Sequence, residues 1–173
     1  MRAIIQRVRN ASVEVAGEVV GSCAQGYLVL LGVGHDDDKT CAQTLWDKIL
    51  HLRIFEDEAG KVNLSLADVD GEVLVVSQFT LFADCRRGRR PSFTDAAAPS
   101  VAKGLYEHFC AIAQRDVRHV GRGVFGSNMQ VALVNDGPFT ICLDSDELTF
   151  KMPCWGHRPI WQYGTGRPSG WNR

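Results

Sequence analysis

Two stretches place chemically capable groups where a strand should simply end or continue. In Val73-Leu74-Val75-Val76-Ser77-Gln78-Phe79-Thr80-Leu81, four apolar, mostly β-branched residues read as a buried strand that runs directly into hydroxyls and an amide. Such groups either satisfy one another and the nearby backbone, or face a ligand. The hydroxyls of Ser77 and Thr80 could serve hydrolysis, with Gln78 holding a carbonyl or a water. The sequence places no general base beside them, however: it has no Gly-x-Ser-x-Gly elbow and no metal-binding helix motif, and its five histidines are scattered. What remains is backbone chemistry, in which main-chain N–H groups at a strand end stabilise an oxyanion while the substrate brings its own activating group.

The second stretch is Asn135-Asp136-Gly137-Pro138-Phe139-Thr140. A strand over 130–135 ends there, and Phe139 to Leu143 continues in β pattern. Asp-Gly alone signals a tight hairpin, but the proline that follows cannot donate to a sheet and permits a cis bond. The backbone is therefore unusual at this point, and the sequence leaves the isomer open. Between the two stretches, Arg86, Arg87, Arg89 and Arg90 put four arginines in five positions around Gly88. Two readings stand side by side: a solvated loop, or a phosphate grip, because guanidinium pairs bidentately with phosphate oxygens.

Other signals favour structural explanations. Asp36, Asp37 and Asp38 could bind a hard cation, but acids at a helix start more often cap it and complement its dipole. Gly121-Arg122-Gly123-Val124-Phe125-Gly126 spells a dinucleotide fingerprint, yet a strand pattern follows it where a helix is required. The six cysteines contain no Cys-x-x-Cys pair and read as reduced, mostly packed thiols; Cys154 and His157 lack two further ligands for zinc. No metal or cofactor is expected.

The elements that must position these groups follow from periodicity. Ala3–Val8, Ser12–Val15, Val19–Val20 and Tyr27–Val33 read as four antiparallel strands joined by short turns. Helices are predicted from about Asp38 to Arg53, with Cys41, Leu45, Ile49 and Leu52 on one face, and from Pro99, with Val101, Leu105, Phe109 and Ile112 on another. His108 falls beside that second stripe as an ordinary core-edge residue.

At 173 residues, 45% hydrophobic and 23% charged, the chain can bury a sizeable core as one domain. Its net charge of −1 exerts no global pull on nucleic acid or membranes, so any such binding needs a local patch. No signal peptide or membrane span is legible, and a cytoplasmic location is expected. From about Lys151 prolines, glycines and three of the four tryptophans accumulate, which divides the chain into a domain over 1–150 and an extension over 151–173.

Ser77-Gln78-Phe79-Thr80-Leu81, Arg90-Pro91-Ser92-Phe93, Met129-Gln130-Val131, Leu133 to Pro138 with Thr140, Ile5-Gln6-Arg7-Val8 and Ala11-Ser12-Val13 together closely resemble the D-aminoacyl-tRNA deacylases, in one register from Met1 to about Leu143. That resemblance implies an α+β fold, a curved, barrel-like antiparallel sheet with two helices, working as a homodimer with active sites at the subunit interface. It implies hydrolysis of the ester joining a D-amino acid, or glycine, to the 3′-terminal adenosine of tRNA. Ser77, Gln78, Phe79 and Thr80 would form one catalytic wall. Gly137 and Pro138, through a cis bond, would enter from the partner subunit, with Arg7 holding their loop and with Met129 and Asn135 as further substrate-binding positions. Carbonyls fixed by the Gly-Pro pair would accept the substrate α-amino group and leave no room for an L side chain, while glycine would escape that filter.

Two mechanisms are open: backbone N–H groups around Gln78 to Thr80 with help from the terminal ribose 2′-hydroxyl, or a Thr80 nucleophile. The four arginines are expected to contact the tRNA backbone. The extension has no counterpart in the family pattern. A non-catalytic tRNA-binding or editing-accessory module on the same fold is the alternative, because the fold also resembles an editing domain of some archaeal threonyl-tRNA synthetases. A cysteine hydrolase has little behind it.

Overall fold

The computed structural model describes residues 1–148. The extension expected over 151–173, with Cys154 and His157, lies outside them. The elements in chain order are β1 (Arg2–Val15), β2 (Glu18–Cys23), β3 (Gly26–Gly32), α1 (Lys39–Leu50), β4 (Phe55–Glu56), β5 (Val62–Leu64), β6 (Glu72–Ser77), a 3₁₀ turn (Phe79–Phe82), α2 (Pro99–Asp116), β7 (Val120–Arg122), β8 (Gln130–Asp144) and α3 (Ser145–Leu148).

β1 is one continuous strand where the sequence reads as two. Its first half pairs with β3 from Arg2–Gly32 to Val8–Gly26, and its second half pairs with β2 from Ala11–Cys23 to Val15–Glu18. β8 pairs along its other edge from Arg2–Asp144 to Glu14–Gln130. Asn10, between the two predicted segments, continues the ladder by pairing with Val134.

The sheet is mixed, which corrects the expectation of a purely antiparallel one. β3 and β6 run parallel, as do β6 and β7. The reason lies in the connections: α1 and the β4–β5 pair separate β3 from β6, and α2 separates β6 from β7, and a helical crossover returns the chain in the same direction. β6 is thereby buried on both faces, with Val73 and Val75 in the main core and Leu74 and Val76 in a second cluster with Val8, Val13 and Leu28.

The helices cover the main core. α1 buries Ala42, Leu45, Trp46 and Ile49; α2 buries Leu105, Tyr106, Phe109, Cys110, Ile112 and Ala113. Trp46 meets Phe109 edge-on at 5.7 Å, and its indole N–H donates to Asp116 at 2.8 Å. Each such large side chain contributes about 1.5–3 kcal/mol by leaving water. Asp38 caps α1 by accepting the Cys41 N–H at 2.9 Å, and that bond holds its carboxyl below the usual range. Asp37 takes the Gly34 N–H at 2.6 Å and pairs with the Met1 amino group, so two of the three aspartates near this helix start, Asp37 and Asp38, have structural partners. Pro99 opens α2. Cys23 and Cys110 are buried, which pushes both thiols up to about 11, whereas Cys85 and Cys142 are exposed. No helix among the described residues is long and apolar enough to cross a membrane.

The sheet nearly closes on itself where β2 meets β7. A Cβ added to Gly21 would lie 2.5 Å from the Arg122 carbonyl oxygen, and one added to Gly121 would lie 2.2 Å from that of Ser22. Only glycine at both positions lets the two backbones approach so closely. Beyond β6, residues 84–92 form a hairpin closed by mutual Asp84 and Ser92 backbone bonds of 2.7 and 2.9 Å.

Two expected outcomes follow from this packing. Gly121→Ala should destabilise the fold by about 1–3 kcal/mol or more through backbone overlap, read as a lowered urea midpoint. The Arg86 side chain, at 2.8 Å from both Asp84 carboxylate oxygens, and then the Arg86 N–H, lower the Asp84 pKa from 3.8 to about 2. A depressed carboxylate favours the fold at pH values above its ordinary range, and that contribution is lost as pH falls through about 2. NMR titration should place the Asp84 midpoint near 2 in the native protein and return it toward 3.8 in Arg86→Ala.

Candidate active site at the end of β6

The apolar run of β6 ends at Ser77, and the chain turns at once into the 3₁₀ segment. The Gln78 N–H extends the β3 pairing by donating to the Leu31 carbonyl at 2.7 Å. Gln78 then caps the turn, with Leu81 N–H donating to its carbonyl at 3.3 Å. The first N–H groups of any helical turn lack internal acceptors, and those of Phe79 and Thr80 have no partner among the described residues. Two adjacent main-chain donors therefore remain free at this strand end.

Ser77, Gln78 and Phe79 line a cavity of about 700 Å³, within the range of small-ligand sites. Its walls come from four places: Leu31, Val33 and His35 at the exit of β3; Phe93 and Ala96 to Pro99 leading into α2; Ala102 and Tyr106 of α2; and Phe125 to Met129 between β7 and β8, with Val131 of β8. Phe79 is 58% exposed and meets Phe93 edge-on at 4.9 Å. The Tyr106 hydroxyl sits 3.0 Å from the Val75 carbonyl and 3.1 Å from that of Gly123, tying the 123–129 wall to β6; burial pushes its pKa upward. His35 Nε2 donates to the Thr94 carbonyl and fastens the opposite wall.

Thr80 is exposed and does not line this cavity. Its hydroxyl accepts a bond from Gln78 Nε2, an amide that cannot take its proton. No carboxylate or imidazole among the described residues bonds to it. No group of three or more His, Cys, Asp or Glu among the described residues converges as a metal site.

Arg7, Asn135, Gly137 and Pro138 form a separate cluster on the β1–β8 pair. Between the Gln6–Thr140 and Val8–Asn135 pairs, β1 supplies one residue, Arg7, while β8 supplies four, Asp136 to Phe139. The Asp-Gly-Pro signal is therefore a bulge in one 15-residue strand and makes no hairpin. The Gly137–Pro138 bond is cis, and both residues are exposed. At Gly137, with φ of +152°, a Cβ would lie 2.7 Å from the Phe139 nitrogen, so no side chain fits. Arg7, only 6% exposed, donates through Nε to the Asp136 carbonyl at 2.8 Å and to the Ile54 carbonyl through a second nitrogen. Its guanidinium lies 5.0 Å from the Phe139 ring. Arg9 pairs with the Asp136 carboxylate from outside at 3.2 Å.

Within one chain the two clusters are apart. Ser77 pairs with Leu31, Leu31 with Ala3 and Ala3 with Leu143, so β6 and β8 are three inter-strand steps apart, roughly 14 Å along the sheet. Gly137 and Pro138 do not line the cavity, whereas Met129 does. The arginines occupy the exposed 84–92 hairpin, which leads through Ser92 into the cavity wall at Phe93. Arg86 is engaged by Asp84; Arg87, Arg89 and Arg90 have no ion pair among the described residues.

Phe93, Tyr106 and Phe125 escape sequence reasoning as cavity residues. Phe93 closes a basic run, Phe125 sits inside a glycine string, and Tyr106 sits within a helix whose periodicity points to the core. Large aromatics beside glycine-rich or basic loops are the signal that could have marked the first two.

The family profile described as D-Tyr-tRNA(Tyr) deacylase matches residues 4–144. The chain is 57% identical over 148 residues to the D-aminoacyl-tRNA deacylase of Thermosipho africanus, covering 86% of this chain and 99% of that one. It is 59% identical over 148 residues to that of Chloroflexus aurantiacus, covering 86% and 92%. Among solved structures, the c-Myc DNA Unwinding Element Binding Protein superposes with a TM-score of 0.79 at 41% identity, over 83% of this chain and 98% of that one. A probable eukaryotic D-amino acid tRNA deacylase, at 19% identity and a TM-score of 0.72, shares the fold. The chain belongs to the D-aminoacyl-tRNA deacylase family, and is a hydrolase that acts on aminoacylated tRNA in translation quality control.

Proposed function

We propose that the end of β6 is the hydrolytic wall for D-aminoacyl-tRNA, and that it works through backbone. The observation that carries this is the pair of unpartnered N–H groups of Phe79 and Thr80 beside a largely apolar cavity. Main-chain donors fixed by a strand end need no reorganisation as charge develops on the ester carbonyl, and in a site with little water they are worth far more than in solution. The attacking water is activated with help from the terminal ribose 2′-hydroxyl, since no side-chain base among the described residues bonds to Thr80. Gln78 acts on Thr80 by orienting it, and its own N–H belongs to the sheet.

The Gly137–Pro138 projection supplies the chiral filter from a second copy of the chain. The roughly 14 Å sheet separation within one chain supports this arrangement. So does the outer edge of β8, which pairs with no strand among the described residues and carries Val131 and Val134, 36% and 49% exposed. Selection by exclusion of an L side chain admits glycine as well as D-amino acids, so glycyl-tRNA is a substrate. Arg87, Arg89 and Arg90 contact the tRNA backbone, whereas Arg86 shapes their hairpin.

Matched D- and L-tyrosyl-tRNA assays should show D-specific hydrolysis, and native mass measurement a dimer. Tight binding with no hydrolysis of either substrate would favour the accessory module instead. Thr80→Ala should stay within about tenfold of native turnover, because removing a true nucleophile costs on the order of 10⁴-fold or more. Neutralising Arg87, Arg89 and Arg90 together should raise KM and flatten its salt dependence by about 0.7–0.9 in log–log slope for each phosphate no longer neutralised; an unchanged slope would discard the tRNA role.

A further inference from the structure

The resemblance makes Asn135 a substrate-binding position, but its side chain is bonded to the Phe139 backbone of its own strand and to Gln6 of β1. Oδ1 accepts the Phe139 N–H at 2.8 Å. Nδ2 donates to the Phe139 carbonyl at 3.3 Å and to Gln6 Oε1 at 3.2 Å. The reverse amide orientation would set an NH₂ group against the Phe139 N–H, so the backbone itself fixes which way the amide points. Both hydrogens of the amide are used, and engaging a ligand through Nδ2 would have to break one of these bonds.

The two ends of this clasp are residues 135 and 139, which bracket the Asp136-Gly137-Pro138 projection. The same side chain reaches across to Gln6, whose backbone is paired with Thr140 on one edge and Leu28 on the other. The projection is therefore tied at its base to a strand paired along both edges. Arg7 and Arg9 hold Asp136 by other atoms, so the Asn135 clasp is a separate restraint.

We infer that Asn135 is a positioning residue that sets selectivity for D over L substrates by holding the Gly137–Pro138 projection rigid, without touching the substrate. This rests on the proposed reading of that projection as the chiral filter. Exclusion discriminates only while the excluding group does not yield, and a displacement of about 1 Å is enough to change a rate on the order of 10²-fold. Gln6 belongs to the same device as its anchor.

The test compares hydrolysis of D- and L-tyrosyl-tRNA by the native protein, Asn135→Ala, Gln6→Ala and Pro138→Ala, with folding checked by circular dichroism and thermal melting. Folded Asn135→Ala should show a D/L ratio of kcat/KM lowered by about tenfold or more, with L-substrate hydrolysis rising in absolute terms. Equal loss on both substrates, with the ratio kept, would mean a purely structural role and would overturn the inference. Where Asn135→Ala does not fold, Gln6→Ala carries the test, with an expected ratio drop of about threefold from removal of one of the three bonds; an unchanged ratio overturns the inference. A native protein that does not discriminate would overturn the filter reading along with it. Discrimination lost in Pro138→Ala but kept in Asn135→Ala would overturn this inference alone.

Discussion

β1 is hydrogen-bonded along both edges, to β2 and β3 on one side and to β8 on the other, and the geometry of the molecule depends on that double pairing. A strand held on both sides cannot slip by one residue without turning every buried side chain outward, and Ala3, Ile5, Val8, Ala11 and Val13 are all buried. With the register of β1 pinned, a surplus of residues in β8 has nowhere to go within the ladder. It leaves as the Asp136 to Phe139 bulge opposite Arg7. The buried arginine beneath it, bonded to the Asp136 and Ile54 carbonyls, is then a consequence of register as much as of chemistry.

The parallel half of the sheet serves a different purpose. β3, β6 and β7 run in one direction because helices cross between them, and their carboxyl ends open toward the start of α2. Ligand sites gather at such ends because the chain must leave the sheet there, which frees backbone donors and opens space between the exits. Here the exits of β3 and β7 become cavity walls, and the exit of β6 leaves two N–H groups without a partner among the described residues. The proposed mechanism thus places hydrolysis on atoms that every amino acid possesses. The hydroxyls near the site have smaller parts: Thr80 accepts a bond from Gln78, and Tyr106 braces a wall from within the core.

Charge is handled locally. In a chain of net charge −1, Arg86, Arg87, Arg89 and Arg90 cluster on one exposed hairpin that leads into the cavity wall. One of the four arginines is paired with Asp84, and the other three have no ion pair among the described residues.

Local physics made much of this readable in advance. The buried strand before Ser77, the helix capped at Asp38, the helix opened by Pro99 and the polar strand end are all set by propensity, periodicity and capping, which act over a few residues. The family strings at Ser77 to Leu81 and Leu133 to Pro138 identified the chemistry for the same reason, since each is a contiguous set of positions. Strand direction was not readable, because it follows from how α1 and α2 pack across the sheet. Nor was the continuity of β1 through Asn10, or the bulge opposite Arg7, because register is decided by partners more than a hundred residues away. The partners of individual side chains were likewise decided in three dimensions. Arg86 reads like its three neighbours and Asn135 like a ligand-binding residue, until folding brings Asp84, Gln6 and the Phe139 backbone within hydrogen-bond distance. The sequence by itself determined which groups are available and which family they belong to; only the tertiary structure decided which of them remain free, because a hydrogen bond made within the fold removes a group from chemistry.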